Sequence, residues 1–278
     1  MNSQTNNKIK QIDVRFSTLI VFLVITFGLA WGILSLFIFL PDQMTGFFGQ
    51  LTGQHPLFYL CVYAPAIATF FIVIYNNGMT GLRHFLSRFL LWRCTLSWYL
   101  FLFGGLPLVF IIGSAIKGTL FSDSFPFSSF QMLVIALVLA MIKGPIEEFG
   151  WRGLALPLLQ RKLAPLWAGL VLGIVWGLWH IPAFLLSGTQ QSAWSFTPFL
   201  LGTIAMSIIM TPLFNRSGGS IFLAALFHFQ AINPIFPDAQ PFDTYLLIFI
   251  AALVVVVNRR TMFTKDGAAT EVVPQDNV

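Results

Sequence analysis

The chain has 278 residues, of which 57% are hydrophobic and only 9% charged, with a formal net charge of +5. Soluble domains carry about 25% charged residues, so this composition excludes an ordinary water-soluble enzyme and points to the bilayer. The basic residues form no stripe but fall in short clusters between apolar runs, the pattern of membrane-protein loops, so nucleic acid is not expected as a partner.

Taken in order, eight apolar segments reach or approach the roughly 20 residues that a helix needs to cross about 30 Å of hydrocarbon. They lie near 17–40, 57–76, 96–116, 129–158, 165–187, 197–214, 219–236 and 243–258. The expected fold is an all-α membrane protein, a polytopic bundle of about eight transmembrane helices. Residues 1–16 form a cytoplasmic leader, 17–258 the transmembrane domain with its motif core at 141–233, and 259–278 a polar cytoplasmic tail. The tail lacks apolar periodicity, and its expected state is disorder.

The first apolar run follows Lys8, Lys10 and Arg15, but it is too long for a signal-peptide core and no small-residue cleavage site follows it. It is expected to be retained as a span. Cys61 and Cys94 have neither disulfide nor metal-type spacing. With the N-terminus inside, one side collects Lys8, Lys10, Arg15, Arg83, Arg88, Arg93, Arg161, Lys162, Arg216, Arg259, Arg260 and Lys265, and the other only Lys117. That asymmetry predicts an even number of spans with both termini in the cytoplasm.

The third span contains Gly104, Gly105 and Pro107, which predict a kink. The fifth carries Gly169, Gly173 and Gly177 at intervals of four, a face that lets another helix approach closely. No internal repeat is visible.

The fourth span is unusual. It holds Glu147, Glu148 and Arg152, and a charged side chain in hydrocarbon costs roughly 2.5–3.5 kcal/mol on insertion scales. Counted at about 1.5 Å per residue from the basic ends of their spans, Glu147, His180 and His228 fall at about 21, 22 and 18 Å. Three ionisable groups from three spans at similar depth predict one buried polar site. Glu148 and Arg152, four residues apart, share a helix face and can pair. Glu147 is turned about 100° from Glu148 and has no charged partner within the motif. Lys143, four residues earlier, is a competing partner.

A free carboxylate beside imidazoles can take a proton from water, with His180 holding that water and His228 donating to the oxyanion of an attacked carbonyl. Three other uses of these residues remain open: a structural Glu-Arg clamp with interhelical histidines, a proton relay in a carrier, and a non-catalytic scaffold or immunity protein. A carrier predicts duplicated halves, which the sequence lacks.

The segment Glu147-Glu148-x-x-x-Arg152 resembles the E-E-x-x-x-R motif of the CPBP family, the CAAX-protease and bacteriocin-processing (Abi) intramembrane endopeptidases. The segment from Trp176 to His180 is similar to its second motif, F-x-x-x-H, and His228 fills the place of a later histidine. Two departures stand out. Tryptophan occupies position 176 where phenylalanine is usual. The third motif, H-x-x-x-N or H-x-x-x-D, meets Ile232, with Asn233 one residue later and Pro234 following.

The resemblance implies a protease in which Glu147 activates water with His180 as its partner, Glu148 and Arg152 support it, and His228 with Asn233 stabilise the oxyanion. No cofactor is required in that scheme. A zinc site of Glu and His ligands stays open as an alternative, although the chain has no H-E-x-x-H. The expected partners are the lipid bilayer and a membrane protein or a lipid-modified or hydrophobic peptide, cut in or near the cytoplasmic half of the membrane. Short loops and small size point to a bacterial cytoplasmic membrane.

Overall fold

In the computed structural model, residues 13–121 and 127–274 are described. Lys8 and Lys10 of the leader, residues 122–126 between the third and fourth spans, and the last four residues lie outside them. Among the described residues every regular element is helical. Eight helices form the bundle: α1 (Thr18–Phe39), α2 (Pro56–Ser87), α3 (Leu96–Lys117), α4 (Phe130–Gln160), α5 (Pro165–Trp179), α6 (Phe196–Arg216), α7 (Ile221–Ala231) and α8 (Phe242–Val257). Five of these stretches, those of α1, α3, α4, α6 and α2 extended to Leu90, are long and apolar enough to cross a membrane. The protein is a multi-pass membrane protein.

Local sequence explains where the helices begin and bend. His55 caps α2 by accepting the Leu57 amide at Nδ1, 3.1 Å away, and Pro56 follows at a position where no amide is needed. Near its far end α2 breaks at Gly78, with φ 64° and ψ −168°, a backbone state that other residues avoid. In α3 the predicted kink is a π-helical turn over Phe101–Gly105, followed by Pro107 in the first turn of the next segment.

Helix α1 buries a stripe of Phe22, Thr26, Ala30, Leu34 and Phe37 and turns its remaining faces outward. Its stripe packs into a core shared with α2, α4 and α5, and a second core joins α3, α6, α7 and α8. The glycine face of α5 meets α6: a methyl at Gly169 would lie 2.6 Å from Thr211 Oγ1, and one at Gly173 2.7 Å from Ile204 Cα. The close helix pair read from the spacing is therefore present.

The tail corrects an expectation. A helical turn covers Arg259–Met262, and residues 268–274 pack against the bundle with Val272 and Val273 buried. The Val272 and Val273 amides donate to the Asp13 carboxylate, and Arg161 donates to the Thr270 carbonyl at 2.9 Å. The segment is held by its backbone against charged groups of other elements, so apolar periodicity could not reveal it.

Candidate active site

The motif interrupts a long helix. After Lys143 the backbone of α4 tightens into a 3₁₀ turn over Pro145–Glu147, resumes as an α turn, then widens into a π turn over Trp151–Ala155. Such irregular backbone often marks functional positions in helices. Two glycines let neighbours close in on it. A methyl at Gly150 would lie 2.4 Å from Pro65 Cβ of α2, and one at Gly144 would lie 2.7 Å from His228 Nε2 of α7.

The two glutamates have separate partners. Arg152 Nη1 donates to both oxygens of Glu148, at 3.0 and 3.1 Å, and His228 Nδ1 lies 2.8 Å from Glu148 Oε1. Glu148 is thus shared between a guanidinium and an imidazole, and it and Arg152 are wholly buried. Charge-assisted bonds of this kind offset the cost of carrying a carboxylate out of water.

Glu147 is held by indoles. Trp176 Nε1 donates to Glu147 Oε2 at 2.9 Å, and Trp151 Nε1 to the same oxygen at 3.3 Å. Among the described residues no hydrogen bond reaches Oε1, and Glu147 keeps 4% of its surface accessible where Glu148 keeps none. Lys143 does not form the competing pair considered from the sequence. Its Nζ donates to the Gly53 carbonyl at 3.1 Å and lies 4.8 Å from the centre of the Phe58 ring.

Trp176 joins the cluster. Besides its bond to Glu147, its ring lies 4.4 Å from the Arg152 guanidinium carbon and 5.1 Å, centre to centre, from the His228 ring. This cation–π contact covers an Arg152 whose Nε and Nη2 have no hydrogen-bond partner among the described residues. The Trp176 carbonyl also fixes His180, whose Nδ1 lies 2.8 Å from it. A carbonyl can only accept, so Nδ1 carries the proton and Nε2 of the neutral ring is an acceptor.

The structure therefore gathers Glu147, Glu148, Arg152, His180 and His228 around Trp176. It does not bring in Asn233. Helix α7 ends at Ala231, Asn233 Nδ2 donates to Gln230 Oε1 at 2.9 Å, and Asn233 Oδ1 accepts the Ile235 backbone amide. Gln230 in turn donates to the Leu102 carbonyl. The extra residue carries Asn233 past the helix end, and its side-chain hydrogen bonds go to Gln230 and Ile235 rather than to His228.

The indole donors were missed in the sequence. Trp151 follows Glu147 by four residues, the same interval that pairs Glu148 with Arg152, and that spacing was the available signal. Among the described residues no group of three His, Cys, Asp or Glu side chains is arranged to hold a metal ion. The histidine nitrogens facing Glu148 and the Trp176 carbonyl are already engaged.

Two comparisons bear on this site. Residues 129–231 match the family described as type II CAAX prenyl endopeptidase Rce1-like, a span that includes every clustered residue and stops before Asn233. A relative described as CAAX prenyl protease 2, from Methanococcus maripaludis, is 32% identical over 166 residues. The aligned part covers 56% of this chain and 60% of the length of that relative.

Proposed function

Both matches support the CPBP, or CAAX-protease, family for this chain, and from that premise we propose that it is an intramembrane endopeptidase. Its substrates are membrane-embedded, lipid-modified or hydrophobic peptides, hydrolysed by a water molecule that Glu147 activates. The observation that carries the reading is the division of labour between adjacent glutamates. Glu148 is committed to Arg152 and His228, whereas Glu147 is oriented through one oxygen and offers the other.

The chemistry follows from this geometry. Glu147 Oε1 takes a proton from a water whose other hydrogen is accepted by His180 Nε2, and the oxygen attacks the carbonyl carbon of the scissile bond. His228, tied through Nδ1 to Glu148, presents Nε2 beside Gly144. With both nitrogens protonated it donates to the developing oxyanion. As the C–N bond breaks, Glu147 returns its proton to the leaving amine. The products are a carboxylic acid and an amine, and neither a covalent intermediate nor a cofactor takes part. Glu148 and Arg152 act as positioning residues, and Asn233 has no step in this scheme.

The proposed setting is the cell membrane of a bacterium, with both termini cytoplasmic. The test is cleavage of a pool of hydrophobic and membrane peptides by the purified protein in detergent, read by mass spectrometry. Wild type should cut, while Glu147→Gln and His180→Ala fold and do not. Equal inertness of all three on a pool that a relative cleaves would leave a non-catalytic membrane scaffold or immunity role.

A further inference from the structure

Arg88 follows α2 directly and is buried where α2, α4, α6 and the turn into α7 meet. Its guanidinium carbon lies 5.7 Å from the centre of the Phe85 ring and 5.3 Å from that of Phe214. Among the described residues its hydrogen bonds all go to backbone carbonyls. Nη1 donates to Gly153 at 2.7 Å and to Val272 at 3.0 Å, and Nε donates to Gly219 at 3.0 Å. Burying a guanidinium is unfavourable unless its donors are satisfied, so the carbonyls it meets identify what it holds.

Two of these carbonyls need a donor from outside their own element. Gly153 stands in the π turn of α4, directly after Arg152, and the residue four further on is Pro157, which has no amide to give. The Leu156 amide is drawn to the Trp151 carbonyl by the same turn. Gly219 lies in the tight turn between α6 and α7, where Gly218 and Gly219 take φ of 70° and 84°. Both acceptors lie close against the end of α2: a methyl on Gly153 would be 2.8 Å from Phe85 Cζ, and one on Gly219 3.2 Å from Arg88 Nη2. Beside them Ser220 caps α7 by accepting the Leu223 amide at 3.0 Å, and its hydroxyl donates to the Leu91 carbonyl.

The end of α2 thus grips α4 and α7 at once, and the bond between Glu148 and His228 joins those same two helices. Gly153 lies six residues after Glu147, about 9 Å of helical rise, and His228 lies seven residues after Ile221, about 10 Å. We propose that Arg88 and Ser220 are positioning residues of the active site. By fixing the Gly153 carbonyl and the start of α7 to the end of α2, they set the register in which His228 meets Glu148 and Gly144. The effect on cleavage rests on the endopeptidase reading. The tolerance is small, because the 2.8 Å separation of His228 Nδ1 from Glu148 Oε1 stops being a good hydrogen bond beyond about 3.2 Å. Val272 belongs to neither helix, so Arg88 keeps both when the tail is freed.

The test compares Arg88→Lys, Ser220→Ala and Gln160→Ala, each as the full chain in detergent. Lysine keeps the charge but lacks the planar fork that spans separate carbonyls. Gln160 is also buried and bonds Asn215 and the Ala269 carbonyl, so its loss reports general loosening. On a peptide that wild type cuts, Arg88→Lys should lower kcat about tenfold with KM within about twofold, and the His228 ring signals should shift in NMR spectra. Ser220→Ala, which removes one cap, should shift the same signals and lower kcat about threefold. Gln160→Ala should lower the unfolding midpoint and leave kcat and the ring signals unchanged. Unshifted His228 signals in folded Arg88→Lys, or in Ser220→Ala where the lysine variant does not fold, overturn the proposal. An equal loss of kcat in Gln160→Ala also overturns it. If wild type itself cuts nothing, the endopeptidase reading fails, and the His228 signals still decide whether Arg88 and Ser220 set the register.

Discussion

The indole N–H of Trp176 donates to Oε2 of Glu147 across 2.9 Å, from α5 to α4. The residue usual at this position in the resembling family, phenylalanine, has no hydrogen to give. The departure at position 176 places a donor on the carboxylate proposed as the base.

Trp176→Phe should therefore cost activity while the bundle still folds. A hydrogen bond to a charged group contributes about 1.5–3 kcal/mol, so kcat should fall by about ten- to a hundredfold with KM little changed. Unaltered kcat in a peptide-cleavage assay would mean that Trp151 alone positions Glu147.

Neighbouring glutamates should respond differently to the same change. Glu147→Gln should abolish cleavage and leave thermal unfolding in detergent close to wild type, because the amide keeps an oxygen for the two indoles. Glu148→Gln removes the charge that Arg152 faces, and leaving a buried charge unpaired costs about 3–5 kcal/mol. Its unfolding midpoint should drop clearly. Equal stability of the two variants would contradict the division between them.

Gly144→Ala should act on His228. The added methyl would lie 2.7 Å from Nε2 and 2.6 Å from Ile232 Cδ1, too close for either atom to stay. Ile232 can rotate, but His228 is held by Glu148, so the imidazole must move off its bond or α7 must shift. Cleavage should fall at least tenfold, about 1.4 kcal/mol in barrier, and the histidine ring signals should shift in NMR spectra.

Chelation separates the water-activation schemes. Treatment with 1,10-phenanthroline followed by desalting should leave cleavage unchanged, because in the proposed scheme Glu147 and His180 handle the water themselves. Loss of activity restored by added zinc would replace this scheme with a metal-assisted one.

Asp13→Ala tests the packed tail. Asp13 accepts from Arg161 and from the Val272 and Val273 amides, so its removal should free residues 268–274 to hydrogen exchange and lower stability by about 1–3 kcal/mol. Cleavage in detergent should persist, since none of these contacts involves the side chains gathered around Trp176.

The sequence by itself determined the helical membrane fold, because hydrocarbon forces long apolar runs to satisfy their backbone within helices. The eight runs, the pairing of Glu148 with Arg152 at four-residue spacing, and the tight contact along Gly169 and Gly173 all follow from composition and period. Similar depth on three spans was the sign that Glu147, His180 and His228 lie near one another, each against Trp176. Only the tertiary structure decided which partner each takes. Whether His228 bonds Glu148 or Glu147, whether Trp176 turns its N–H to a carboxylate, and whether Asn233 reaches the cluster depend on helix rotation and on where α7 ends. The packed tail was hidden for the same reason, since Val272 is held by Asp13, more than 250 residues away in sequence, and no local pattern encodes so distant a contact.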